Sequence, residues 1–393
     1  MKKVIYFVPY HFSHASNGNT RAQWDMLRAI VDCRCFEVTV CVIGSGEDKD
    51  RLPYEKIGCK FVSVPLKPHW GFWSILNMLF SRILPCGFIC FGNALGYRRQ
   101  VMEVAKQADW FLMTYSWWWP LLSKRVLREK TIVLTHDILF YRLASVYGVN
   151  TLRKRWRLFW NKKSEAWALN KFNRVGVFGE YEKKVIVDAG VCLERVIVTG
   201  MPIRVEKRIP VPDEQVIYDF MFIGGNGYPN YSSVLNFFER VVPLLPTNRE
   251  IKVALVGRCA TVPAVINYPL PSHIKLELVG FVDDTSLYFA KSRIGIGTVK
   301  CGSGVKVKVV EMTLHGLPVV VANSGAEGIP LSGPGVVNID TQSAEEVRSR
   351  LSRWLNSVAD ARADGEATSK IVSREFAPDG MYSRLTKYIG KGC

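Results

Sequence analysis

A chain of 393 residues, 48% hydrophobic and 22% charged, is well supplied for burying apolar surface; its composition excludes wholesale disorder, and its length predicts two domains rather than one core. The 52 Lys and Arg against 35 Asp and Glu leave a formal charge of +17, a field that attracts polyanions: nucleic acid, an anionic membrane face or phosphorylated substrates. Its ten cysteines show no CxxC pair and no zinc-type spacing, and read as reduced core residues of a cytosolic protein.

The opening "MKKVIYFVPYHF" has an apolar run too short for a signal peptide, so it predicts a first β-strand. Continuous rather than alternating apolar runs follow at 36–44, 60–66, 109–116, 131–137, 174–179 and 195–200, as expected of strands buried on both faces. Prolines and charges in "MPIRVEKRIPVPDEQVIYD" mark a linker over 201–219, after which the series restarts at 220–225, 252–257, 275–280, 294–299, 318–323 and 336–340. The expected architecture is α/β, with doubly wound, Rossmann-like parallel sheets in domains 1–200 and 220–370 and a terminal helix, 371–393, returning to the first domain. Ligands of such sheets bind beyond the carboxyl ends of the strands, which predicts a site in a central cleft.

Two stretches locate the charge and the surplus of apolar residues. "TLRKRWRLFWNKKSEAWALNKF" (151–172) interleaves cations with Trp156, Phe159, Trp160 and Trp167; it reads equally as a core-packing helix or as a membrane-surface helix. Residues 67–99 are longer and mostly apolar, but Arg82, Pro85 and several glycines argue against a continuous span and for a surface-lying segment. Nucleic acid is not expected as a partner, because no zinc-finger, RRM-like or GXXG signature is present. The single Asp-x-Asp, Asp48-Lys49-Asp50, falls in "GSGEDKDRL", read as a polar loop of solvated surface; no metal site is expected.

The densest signal is "KCGSGVKVKVVEMTLHG" at 300–316. A strand ends in a loop holding Gly302 and Gly304, and a helix is expected over 305–316, its amino end carrying free amides and the positive end of its dipole. Glycines let a backbone approach a diphosphate, and Lys306 and Lys308 add charge. Glu311, three residues beyond Lys308 on one helical face, can accept two hydroxyls of a ribose. A tight strand-to-helix turn before a solvated helix is the plain alternative.

At these residues the sequence resembles the retaining glycosyltransferases of family four (glycosyl transferases group 1), which have the GT-B fold. The block Gly302-Ser303-Gly304-Val305-Lys306-Val307-Lys308 with Glu311, then Gly316-Leu317-Pro318-Val319-Val320, then Gly325-Ala326-Glu327-Gly328 carries the resemblance. It extends back through "FIGGNGYPNYSSVLNFFERVVPLL" (222–245) and "LVGFVDD" (278–284), and more thinly to "SNGNTRAQWDML" (16–27) and "THD" (135–137). The resemblance implies an acceptor-binding first domain and a nucleotide-sugar-binding second domain. It implies a metal-independent, retaining hexosyltransferase of polysaccharide biosynthesis, which needs no cofactor beyond its nucleoside diphosphate sugar. Its acceptor would be a cell-envelope glycan or lipid-linked molecule at the cytoplasmic face of the membrane, where the protein would be peripheral.

Residue by residue, the resemblance places the diphosphate on Gly302, Ser303, Gly304, Lys306 and Lys308 with Arg258, and the ribose on Glu311. The nucleobase and donor loops are Gly225, Asn226, Gly280, Phe281 and Val282. Sugar and acceptor meet Asn17, Gly18, Gly325, Ala326, Glu327 and Gly328. His136 is the active-site histidine, with Asp137 or a main-chain group orienting its ring. Two departures stand out: Ser303 occupies the position where many members have a second glutamate, and "GGNGYPNYSS" lacks the usual basic pair. Two rivals share the fold: a nucleotide-sugar epimerase, and a non-catalytic protein that binds anionic membrane or nucleic acid.

Overall fold

Residues Val4–Val8 are buried without interruption, which is why they form the centre of a sheet rather than a half-exposed strand. In this computed structural model residues 1–12, 18–44, 46–65, 91–205, 208–302, 304–376, 384–385 and 388–389 are described. They divide into two units, Met1–Pro202 with Pro378–Cys393, and Ile203–Ala377.

The first unit holds β1 (Lys2–Val8), β2 (Phe36–Ile43), β3 (Lys60–Val64), β4 (Trp110–Thr114), β5 (Thr131–Leu134), β6 (Arg174–Val177) and β7 (Val196–Val198) in the order β3-β2-β1-β4-β5-β6-β7. Every pairing is parallel, with Val4 opposite both Val38 and Trp110. The helices are α1 (Gly18–Asp32), α2 (Asp48–Lys56), α3 (Phe91–Lys106), α4 (Lys124–Lys130), α5 (Leu139–Tyr147), α6 (Leu152–Leu169) and α7 (Glu180–Asp188). Phe7, Phe111, Val133, Val101 of α3, Leu169 of α6 and Ile186 of α7 share one apolar core.

In the second unit β8 (Tyr218–Ile223), β9 (Ile251–Val256), β10 (Ile274–Gly280), β11 (Ser292–Gly297), β12 (Val319–Val321) and β13 (Val336–Asn338) lie in the order β10-β9-β8-β11-β12-β13, again parallel. Helices α8 (Tyr228–Arg240), α9 (Val307–Leu314), α10 (Ala344–Asn356) and α11 (Val358–Phe376) cover it. Trp354 is fully buried, and its indole N–H donates to Asp364 at 2.9 Å, so a large aromatic enters this core without leaving a polar atom unpaired. All thirteen strands among the described residues fall on the apolar runs read from the sequence. The strand order turns back between β1 and β4 and between β8 and β11, the two places where such sheets open a crevice.

Of the stretch 201–219 read as a linker, Met201 and Pro202 fall in the first unit, and from Ile203 on its described residues are bonded within the second. The Ile203 N–H donates to the Phe376 carbonyl at 3.0 Å, Arg362 reaches the Val211 carbonyl at 2.7 Å, and Arg208 bonds Ser369 at 2.7 Å and pairs with Glu366. Helix α11 runs unbroken across the expected boundary at 370. Beyond it the chain rejoins the first unit, where Lys2 Nζ donates to the Ile389 carbonyl at 3.0 Å. Asp48 and Asp50 are not in a loop: they open α2, where acidic groups favour the helix amino end, Asp48 pairing with Arg51 at 2.9 Å. Of the apolar stretch 67–99, residues 67–90 lie outside the described residues and the rest open α3. No helix among the described residues is long and apolar enough to cross a membrane.

Candidate active site

In the second unit, β8, β9, β11 and β12 end on one edge of the parallel sheet, and glycines let their following loops close up. A Cβ on Gly325 would lie 1.9 Å from the Gly297 carbonyl oxygen, and one on Gly257 would lie 2.5 Å from that of Gly224. The Gly224 N–H donates to Val256 at 3.0 Å and its carbonyl accepts from Cys259 at 3.0 Å, stitching the loop after β8 to the one after β9. Gly302 and Gly304 take φ of 118° and 68°, the left-handed region that only glycine enters cheaply.

The helix after this loop starts later than expected, at Val307, with Lys306 as its cap. Lys306 turns back: its ammonium donates to the Gly304 carbonyl at 2.6 Å and sits 3.5 Å from Glu327 Oε2. The loop's own carbonyls thus hold this residue out of helical geometry. Lys308 is the second residue of the helix. Its ammonium bonds Asn230 Oδ1 and stands 4.6 Å from the Phe222 ring centroid, and no carboxylate among the described residues pairs with it. Burial pulls its pKa down to about 8. Asn230 belongs to α8, just past the loop that lacks Lys and Arg, so a cation from α9 reaches that loop.

Glu311 is half-buried, one turn on from Lys308 in α9. Gly328 lies close to Val305, so Gly325, Ala326, Glu327 and Gly328 gather beside the Gly302–Lys306 loop. Gly225 and Asn226 follow β8 and are exposed; Phe281, beyond Gly280 and before half-buried Val282, is also exposed. Arg258 follows β9, exposed at the surface, although its neighbour Cys259 lies near Lys308. Ser303 and Asn17 lie outside the described residues.

In the first unit, His136 follows β5 beside its crevice, packed against Tyr115 (centroids 5.7 Å) and Phe178 (5.3 Å). Both ring nitrogens are buried without a hydrogen-bond partner, and burial lowers the pKa to about 3. Asp137 does not orient the ring as expected: it pairs with Arg142, one turn along in α5, whose charge draws the carboxylate away. The amino end of α5 is held by Glu165, which accepts from Leu139 at 3.1 Å and Phe140 at 2.9 Å. Burial raises the Glu165 carboxyl to about 7. Gly18 begins α1, which sends Gln23 to the hydroxyls of Tyr10 (3.0 Å) and Tyr115 (3.3 Å), themselves 2.7 Å apart. Tyr115 takes φ 67°, a strained conformation for a bulky side chain. Neither the tyrosine cluster nor Asn230 is signalled in the sequence, since each depends on contacts between distant residues.

A neutral, buried histidine makes folding sensitive to acid. Its pKa falls from an ordinary 6.5 to about 3 on folding, so the unfolded chain binds the proton first and stability drops as pH falls through that window. Glu165 works the other way: its carboxyl, raised to about 7, contributes stability at low pH that is lost as pH rises from its ordinary value to about 7. Urea unfolding of the parent and of His136→Gln should therefore diverge in slope below pH 6.5 by close to one proton. Parallel curves would remove the buried neutral imidazole.

Two doubly wound parallel sheets are the architecture of GT-B proteins. Residues 218–357, within the second unit, match the family model of the glycosyl transferases, group 1. HepE of Anabaena, solved in complex with UDP and glucose, aligns over 100% of both chains with a TM-score of 0.68 at 13% identity. Sucrose-phosphate synthase from Thermosynechococcus elongatus aligns over 99% of this chain and 98% of its own, TM-score 0.67, 13% identity. A glycosyltransferase from Rickettsia africae ESF-5 aligns over 100% and 99%, TM-score 0.63, 12% identity. Such low identities make the likeness one of fold. No curated protein matches the chain.

Proposed function

We propose that the protein is a retaining, metal-independent hexosyltransferase of polysaccharide biosynthesis. It moves a sugar from a nucleoside diphosphate carrier to a cell-envelope glycan or lipid-linked acceptor, as a peripheral protein at the cytoplasmic membrane face. The observation that carries the reading is Lys308: a buried ammonium answered only by an amide oxygen and an aromatic face lacks a counter-ion, and a diphosphate supplies one. HepE, with UDP and glucose bound, supports the donor class.

In this reading Lys306, Lys308 and the amides of Gly302–Gly304 neutralise the diphosphate, with Arg258 at its edge. Glu311 takes the ribose, the loops at Gly225–Asn226 and Gly280–Val282 the base, and Gly325–Gly328 the sugar. The bond from the sugar's anomeric carbon to the β-phosphate oxygen breaks, the acceptor oxygen bonds that carbon on the same face, and the acceptor proton leaves on the diphosphate. Stabilising that departing charge is the main task of the lysines. His136, with one N–H and one lone pair unengaged, bonds a hydroxyl of sugar or acceptor. Donor, acceptor and lipid surface are the partners; nucleic acid is not, and no cofactor beyond the donor is needed.

Calorimetric titration with UDP-, GDP- and ADP-sugars tests the reading. One of them should bind, and Glu311→Ala should weaken it by roughly 1.5–3 kcal/mol, the range for a hydrogen bond to a charged group. Silence toward all three would leave only a binding module on this fold, while conversion of the donor without acceptor would point to an epimerase.

A further inference from the structure

Helix α6 presents two apolar faces. One is buried through Ala166, Ala168 and Leu169; the other is not, and carries Leu152 (84% exposed), Trp156 (56%), Phe159 (52%) and Trp160 (45%). These positions recur at spacings of three and four, so they form one stripe along the solvent side of the helix. Trp156 and Phe159 each meet Trp160 edge to face, at 6.1 and 5.6 Å between centroids, and the cluster is thus continuous.

The stripe lies among cations. Arg153, Lys154, Arg155, Arg157, Lys162 and Lys163 all belong to α6, whose single carboxylate, Glu165, faces inward to cap α5. Arg153, Arg157, Lys162 and Lys163 pair with no carboxylate among the described residues; Lys163 stands 5.9 Å from the Phe159 ring instead. Past the helix end Lys171 stacks on Trp167 at 3.5 Å and on Trp119 at 4.6 Å. Burial, then the like charges of Lys124 and Arg128, lower the Lys171 pKa, so the positive region continues into α4.

We infer that the outward face of α6 docks the protein on an anionic lipid bilayer, with Trp156, Phe159 and Trp160 at headgroup depth and the flanking cations on lipid phosphates. Exposed tryptophans beside Lys and Arg match an interface that is apolar below and negatively charged above. A second copy is disfavoured as occupant, since a two-fold contact here would set this cationic face against itself. Nucleic acid would accept the charge but leave Leu152 and the apolar ring edges without a match. The inference gives a surface to the membrane association proposed above and does not depend on the donor chemistry.

Co-sedimentation of the full chain with phosphatidylglycerol-containing and with pure phosphatidylcholine vesicles tests it. Binding to the anionic vesicles should be at least about tenfold tighter, should fall with salt, and should drop roughly a thousandfold in the variant with Arg153, Lys154, Arg155 and Arg157 all changed to Gln. The triple change Trp156→Ser, Phe159→Ser, Trp160→Ser should abolish it too while leaving urea stability and nucleotide titration at parent values, because these side chains are exposed. Equal binding to both vesicle types, unchanged binding by either variant, or no binding to vesicles while a duplex oligonucleotide binds, would each overturn the inference. Loss of donor binding in the parent, with anionic vesicles still bound, would strike at the enzymatic reading alone.

Discussion

Replacing Lys308 by Met should cost about 2 kcal/mol of affinity for a nucleoside diphosphate, leave the free nucleoside almost unaffected, and keep or raise the stability of the fold. The two signs follow from one observation. A buried ammonium with no carboxylate partner is a cost to the empty protein, repaid only when an anion arrives; an apolar side chain of similar length removes the cost and the reward together. A lysine with a purely structural role would show the opposite pair, lower stability and unchanged binding. The depressed pKa, about 8, adds a test without mutation. As pH rises through that value the empty site loses its charge, so diphosphate affinity should fall. Above pH 8 binding should draw a proton from the buffer, because the bound diphosphate pulls the pKa back up. Calorimetry in two buffers of different ionisation enthalpy reads that proton directly.

Gly325→Ala should destabilise the second unit by about 3 kcal/mol, as forced overpacking against backbone does. The added methyl group would stand 1.9 Å from the Gly297 carbonyl oxygen and 3.6 Å from the Val299 nitrogen. Neither atom can rotate away as a side chain would, so the loops after β11 and β12 must separate. Nucleotide affinity should fall with them, since Glu327 and the Gly302–Lys306 loop are held by the same approach. Gly96→Ala provides the contrast: among the described residues nothing lies within 4 Å of its added carbon, and in the interior of α3 the exchange should stabilise by about 0.5–1 kcal/mol. Similar stabilities for the two variants in urea would show that the Gly297–Gly325 approach relaxes at no cost.

Most strands were legible because a parallel strand buried on both faces leaves an uninterrupted apolar run. Contacts made at a distance left no such mark. Nothing around "GGNGYPN" announces that its cation comes from Lys308, 78 residues further on. The start of α9 was misplaced by two residues, because Lys306 bonds the carbonyl of Gly304 rather than extending the helix. Likewise "EDKD" read as loop from its polarity, whereas acidic residues at a helix amino end serve the dipole. For the aromatic-basic stretch 151–172 the sequence left inward and outward packing level; only the exposure of Trp156, Phe159 and Trp160 separates them.

The contact of Lys306 with Glu327 gives the molecule two kinds of positive region with different responses to ionic strength. Dissolved salt weakens attraction to an exposed cation by screening it and by competing for it, and this governs α6. Lys306 carries its competitor covalently, 3.5 Å away and shielded from solvent with it. An incoming diphosphate displaces that carboxylate rather than a dissolved ion, so the exchange conserves the number of free ions in solution. Raising salt should thus strip the protein from an anionic surface well before it empties the Gly302–Lys306 loop, and the two events should be separable in a single titration.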